Sequence, residues 1–146
     1  MDSAGTKLAI DGQRSGHVKA TLEGCVLVDA LLDSGADVAL ISAGLIRKLE
    51  NEADFLKMKK LVQPEKVGTA GKDVLSIHRK VCLESVVFQT SAGPLLWRNV
   101  WCMVDEGDES LSLIIDRSTM EKMGYSPDAL LVEAKRRLES GSEAGG

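Results

Sequence analysis

The sequence predicts a mostly-β domain with short helices, and three observations carry that reading. Short apolar runs of strand length recur from His17 to Ile115. They are separated by turn signals rather than by long helical periods, notably Glu23-Gly24, Gly68 to Gly71 and Ser91-Ala92-Gly93-Pro94. Helical spacing of apolar residues is confined to brief stretches. The 146 residues are enough for one domain with its own core. With 3% aromatic residues that core must be aliphatic.

Taken in order, His17–Leu22 and Cys25–Leu32 are two extended runs joined at Glu23-Gly24, a hairpin signal. Val38–Ile41 is a short buried strand. Ser42 can cap a helix from Ala43 to about Leu49, with Leu45, Ile46 and Leu49 on one face. Asn51–Lys60 is charged and either extends this helix or forms a loop. Strands are expected at Leu61-Val62, Val74–Ile77, Val81–Phe88 and Trp97–Val104, the last placing Trp97 and Trp101 on one side. An acidic loop, Glu106–Glu109, precedes the apolar run Leu111–Ile115. Helices near Ser118–Met123 and Pro127–Leu138 follow, with Leu130, Leu131, Ala134 and Leu138 on one face of the second. The domain is expected over 17–126. Residues 1–16 are read as a flexible tail and 127–146 as a helix and flexible tail, frayed or cut from a longer chain.

Net charge is −4 and the pI about 5.2, so no basic field points to nucleic acid or an anionic membrane. No apolar run reaches the ~20 residues of a membrane span, and the N-terminus lacks the apolar stretch of a signal peptide. Cys25, Cys82 and Cys102 are odd in number and match no zinc pattern. They are expected to be reduced, mostly buried thiols of an intracellular, cytoplasmic protein. No metal or cofactor motif is present, neither a nucleophile elbow nor a phosphate-binding glycine loop. His17 and His78 have no partner pattern and read as surface residues.

One stretch carries chemistry. In Leu31-Leu32-Asp33-Ser34-Gly35-Ala36-Asp37-Val38 an apolar strand runs into an acid, then a tight turn, then another apolar strand. A carboxylate at the end of a buried strand costs several kcal/mol unless it is paired or hydrogen-bonded. Gly35 permits a sharp turn, and Ser34 can bond its neighbours or a second chain. Taken alone, Asp-Ser-Gly is equally an ordinary turn.

The run of two apolar residues, Asp33, Ser34, Gly35 and Ala36 resembles the catalytic signature of the retropepsins, the single-domain aspartic proteases of retroviruses and retrotransposons. Val67-Gly68-Thr69-Ala70-Gly71-Lys72 resembles that family's flap, and Leu113–Gly124 its second apolar signature followed by a short helix. Together these span roughly residues 17 to 125. The resemblance implies a retropepsin-like closed β-barrel, the acid protease fold, active as a homodimer. It implies Asp33 as the catalytic residue, Ser34, Gly35 and Ala36 as the active-site loop, and no cofactor. It places Asp37, Gly68, Thr69, Ala70 and Gly71 along the bound peptide, pairs Asp37 with Arg117, and puts Ile115 and Asp116 near the site.

The chemistry follows from one Asp-Ser-Gly per chain. Two carboxylates about 3 Å apart cannot both ionise, so a pair supplies an acid and a base together. A single-copy chain completes the pair by two-fold symmetry. The implied function is endopeptidase cleavage, expected to process a polyprotein. One departure favours a different reading. Asp116 stands where the family has glycine, close to the catalytic turn. Its side chain should bring a third carboxylate near the pair or displace the loop. In the second case the chain is a catalytically silent module that dimerises or binds peptides. A small β-scaffold of unrelated function is a third reading.

Overall fold

The structure, a computed structural model, describes residues 16–68 and 74–124, together with Lys135 and Leu138. Its first unit is the hairpin of β1 (His17–Leu22) and β2 (Val26–Leu32), paired from His17 opposite Leu31 to Leu22 opposite Val26. Glu23 at φ 53° and Gly24 at φ 73° make the turn in the left-handed region, where glycine is at no disadvantage. Val26, Val28 and Ala30 face inward while Leu27 and Asp29 face out, the period-2 pattern of a half-buried strand. Asp29 pairs across the hairpin with Lys19 at 2.8 Å.

The remaining elements are β3 (Leu40–Ser42), α1 (Ala43–Glu52), β4 (Lys57–Gly68), β5 (Val74–Leu83), β6 (Val86–Thr90), β7 (Gly93–Trp97), β8 (Val100–Asp105), β9 (Leu113–Ile115) and α2 (Arg117–Lys122). One nine-stranded mixed sheet runs in the order β4-β5-β8-β3-β9-β2-β1-β6-β7. Pairing is parallel at β2/β9 and β3/β8, and antiparallel elsewhere.

The closed barrel expected from the sequence is not formed. The sheet is open, with β4 and β7 as its two outer strands. Both carry edge chemistry. Pro64 lies in a register shift of β4 between Lys60 and Glu65, and Pro94 lies in β7. Proline has no N–H to offer a further strand and is confined to edges and bulges.

Two predicted strands are each divided. Val81–Phe88 breaks at Glu84-Ser85, because Ser85 is drawn to Glu23: its N–H donates to the Glu23 carboxylate at 2.8 Å, and its carbonyl accepts from the Glu23 N–H at 2.8 Å. Trp97–Val104 breaks at Asn99, which adopts φ 57°. The tryptophans therefore separate. Trp97 packs against the core, while Trp101 is exposed, with the Lys57 Nζ 5.7 Å from its ring centre. The charged stretch after α1 is neither more helix nor loop from Lys57 onward but the start of the long strand β4.

The core is aliphatic, built from Leu22, Ile41, Leu45, Ile46, Leu49, Val81, Leu83, Leu113 and Ile115 among others. Leu45, Ile46 and Leu49 of α1 are fully buried, each worth roughly 1.5–3 kcal/mol of transfer free energy. Ser42 begins this helix in the predicted way. Its Oγ accepts from the Leu45 N–H at 3.2 Å and from the Ser112 N–H at 3.0 Å, and donates to the Ser110 carbonyl at 2.6 Å. With Ser42 only 2% exposed, Ser42→Ala strips one buried and two part-buried groups of a partner. It should cost about 2–3 kcal/mol in a urea titration.

Of the three cysteines, Cys25 is exposed, Cys82 and Cys102 are buried, and all are free thiols. Burial pushes the Cys82 and Cys102 thiols up, and at Cys102 the Asp116 carboxylate adds to it. The folded protein thus keeps these protons to higher pH than the unfolded chain, whose thiols titrate near pH ~8.5. Their stabilisation is fully present below that pH and is lost above it, for Cys102 at about 1.4 kcal/mol per pH unit. Urea midpoints under reducing conditions should fall as pH rises past about 8.5. Cys102→Ala should flatten the slope, and a flat wild-type profile would contradict the assignment.

Candidate active site

Parallel pairing of β2 with β9 sets Leu32 beside Ile115, so both strands deliver their next residues, Asp33 and Asp116, to the same end of the sheet. The Asp33 N–H donates to the Ile115 carbonyl at 2.9 Å, extending the ladder by one bond. Beyond it the chain turns: the Ala36 N–H donates to the Asp33 carbonyl at 3.0 Å, and the Gly35 N–H to Asp33 Oδ1 at 2.9 Å. The carboxylate is therefore held by the turn it begins. A Cβ at Gly35 would lie 3.3 Å from Asp33 Oδ1, so any larger residue there would require the carboxylate to give by a few tenths of an ångström.

Asp33 and Ala36 are half-buried; Ser34, Gly35 and Asp37 are exposed. Arg117, at the start of α2, ties the turn from below. Its N–H donates to the Ala36 carbonyl at 3.0 Å, Nη1 to the Ser34 carbonyl at 3.1 Å and Nη2 to Asp37 Oδ1 at 2.8 Å. The hydrogen bond to Asp37 and its charge raise the Arg117 pKa further above its ordinary value. The guanidinium fork bridges a backbone carbonyl and a carboxylate at once, which fixes the turn's orientation more firmly than a point charge could.

Asp116 has the extended backbone φ −84°, ψ 168°, open to any residue. Asp33 N–H to Ile115 on one side and Arg117 N–H to Ala36 on the other keep the two loops hydrogen-bonded around it. Asp116 is 8% exposed and lines a cavity of about 130 Å³ with Asp37, Ala39, Lys80, Trp101 and Cys102, a wall that does not include Asp33. Asp116 Oδ1 is buried without a hydrogen-bond partner among the described residues, and the residue makes no side-chain cap to α2. An unmade buried bond costs roughly 1–3 kcal/mol, while a negative charge at a helix start returns roughly 0.3–1. Asp116→Ala should therefore stabilise the fold by about 1 kcal/mol in a urea titration; a loss of stability would show that the carboxylate has a partner in solution.

The structure brings Asp33, Ser34, Gly35, Ala36, Asp37, Ile115, Asp116 and Arg117 around one turn. Gly68 lies elsewhere, ending β4 opposite Val74 of β5. Thr69, Ala70 and Gly71 lie outside the described residues, as do most of 1–16 and of the predicted helix 127–138. Of that helix, Lys135 and Leu138 are described, both helical.

Three supports went unread in the sequence. Arg79 of β5 makes a two-pronged contact with Glu106 at 2.7 and 3.0 Å, anchoring the β4–β5 arm to the loop after β8. Lys80 and Cys102 wall the Asp116 cavity. Gly44, in the first turn of α1, has no room for a Cβ against the Glu109 backbone. Only Gly44 had a signal, since glycine inside a helix is costly and implies close packing.

An EIAV protease complexed with the inhibitor HBY-793 matches this architecture with a TM-score of 0.51. The match covers 80% of this chain and 94% of that one, at 14% identity. It is among 67 matching chains of solved structures. No family model matches the sequence, and no curated protein matches it either. The fold is retropepsin-like: mostly β with short helices, in an open sheet, related in architecture to a retroviral protease. No helix among the described residues is long and apolar enough to cross a membrane.

Proposed function

We propose that this chain is an aspartic endopeptidase active as a homodimer, in which Asp33 and the partner's Asp33 activate a water between them. The observation that carries this reading is Asp33 itself, a half-buried carboxylate fixed by its own turn at the end of β2 in a chain of retropepsin-like fold. One carboxylate takes a proton from water while the other gives one to the peptide carbonyl oxygen, and the roles exchange as the amine leaves.

In this reading Ser34, Gly35 and Ala36 steady the pair and the Asp37–Arg117 bridge fixes the turn. Asp37 and the flap residues Gly68, Thr69, Ala70 and Gly71 hold an extended peptide, the natural form of a polyprotein segment. The chain requires no cofactor and no metal. It is an intracellular, cytoplasmic protein that contacts neither nucleic acid nor membrane. The test is cleavage of an unfolded protein from about pH 3 to pH 7, with and without a statine-type inhibitor that mimics the tetrahedral state.

A second reading rests on Asp116, which puts a buried carboxylate where the resembled family has glycine. A silent module would bind the statine peptide and dimerise but leave the unfolded substrate intact at every pH.

A further inference from the structure

The β4–β5 arm carries a concentration of positive charge that the catalytic reading leaves unassigned. Its two strands hold Lys57, Lys59, Lys60, Lys66, Arg79 and Lys80 against a single acid, Glu65, in a chain whose net charge is −4. Their register sets Lys59 directly opposite Lys80 and Lys60 directly opposite Arg79. Like charges so placed destabilise a sheet. The Lys60/Arg79 pair is relieved by Glu106, which accepts from Arg79 at 2.7 and 3.0 Å. Among the described residues, the only acid in ion-pair reach of Lys59 or Lys80 is Glu65, 3.8 Å from Lys80 Nζ. Strand alternation adds Lys57 to the face of Lys59 and Lys80, and the pairing of β5 with β8 adds Trp101. Trp101 is 44% exposed, and its ring holds the Lys57 ammonium on this face at 5.7 Å. Lysine on an outer strand commonly serves to repel other strands. Lys80, however, lies on the inner strand β5, where edge protection calls for no charge.

We propose that this strip docks an extended acidic peptide as an added strand. Among the described residues β4 is an outer strand, so over residues 57–60, before its register shift and Pro64, its outward N–H and carbonyl groups are open to pairing. A peptide strand laid there lies about 4.8 Å from β4, and its alternate side chains project on one face at a spacing of about 6.8 Å. Lys57 and Lys59 have that same spacing. Acidic side chains at every second position therefore come to rest beside the two ammonium groups, and Lys80, one strand further in, adds its charge. A nucleic-acid strand fits the strip less well, since one exposed ring stacks a single base and the edge of β4 is left unpaired. The site does not involve Asp33, and the proposal is independent of whether the chain cleaves peptides.

The test is fluorescence anisotropy of a labelled peptide in which glutamate alternates with threonine, titrated with the full chain. Binding should be present at low salt and weaken by about tenfold or more as salt rises from about 50 to about 500 mM. A glutamine version of the peptide should bind about tenfold weaker or worse. N-methylation of the alternate amides that face β4 should cause a similar loss, because it removes the strand pairing. Lys57→Gln with Lys59→Gln should also weaken binding by about tenfold, while Lys122→Gln on α2 should leave it unchanged. The double variant relieves like-charge repulsion, so its urea midpoint should hold or rise, which separates lost docking from lost fold. No binding at low salt, a glutamine or N-methylated peptide bound as tightly, or a double variant that binds like wild type would overturn the proposal. Tighter binding of a labelled oligothymidylate than of the glutamate peptide would overturn it too, giving the strip to nucleic acid.

Discussion

Asp33→Asn should reduce peptide cleavage by about 10³-fold or more while the protein remains folded. The expectation follows from what asparagine keeps and what it loses. Its amide oxygen can still accept the Gly35 N–H, which meets Asp33 Oδ1 at 2.9 Å, and its backbone can still donate to Ile115 and accept from Ala36. The turn, the Arg117 tether and the β2/β9 register therefore have no reason to change, and the urea midpoint should stay close to that of wild type. An amide can neither take a proton from water nor give one to a carbonyl oxygen at these pH values, so both halves of the acid–base exchange fail together. The pairing of results is diagnostic. Lost cleavage with an unchanged midpoint assigns Asp33 to chemistry, and lost cleavage with a fallen midpoint assigns it to structure. Residual cleavage within about tenfold of wild type would remove it from the mechanism.

Local chemistry made parts of this architecture legible. The Glu23-Gly24 turn, the Ser42 cap and the Asp33–Gly35 turn are each decided within a few residues, and each has the predicted form. What escaped is non-local. Strand β5 ends after Leu83 because Ser85 bonds to Glu23, 62 positions away, and no apolar pattern encodes that partner. Closure of a sheet depends on whether its first and last strands meet. Pro64 and Pro94 spoke against it, but only once β4 and β7 were known to be the outer strands. Asp116 shows the same limit at the site. The sequence marks it as a charged residue in a glycine's place, but not that its side chain would line a cavity with Lys80 and Cys102. The direction of a side chain depends on which strands flank it, and β9 lies between β3 and β2 through pairings to residues more than seventy positions away.

Activity should depend on two copies of Asp33, and dilution and mixing test this in different ways. By mass action, each tenfold dilution well below the dimer dissociation constant should lower specific activity by about tenfold. A self-contained monomer would keep its specific activity constant. Dilution alone also destabilises marginal proteins, so mixing is the stricter test. In an equimolar mixture of wild type and Asp33→Asn allowed to exchange subunits, about a quarter of the dimers carry two aspartates, about half carry one and about a quarter carry none. Since the substituted asparagine preserves the turn, the mixed dimers should assemble as readily as the others. A dimer with one carboxylate lacks either the acid or the base, so cleavage per wild-type chain should fall by about half, and a larger excess of the variant should suppress it further. Cleavage per wild-type chain that is indifferent to the variant, at concentrations where light scattering reports dimers, would show that each subunit works alone. The shared pair of carboxylates would then be wrong even if Asp33→Asn is inactive by itself, because Asp33 would be acting with a group of its own chain.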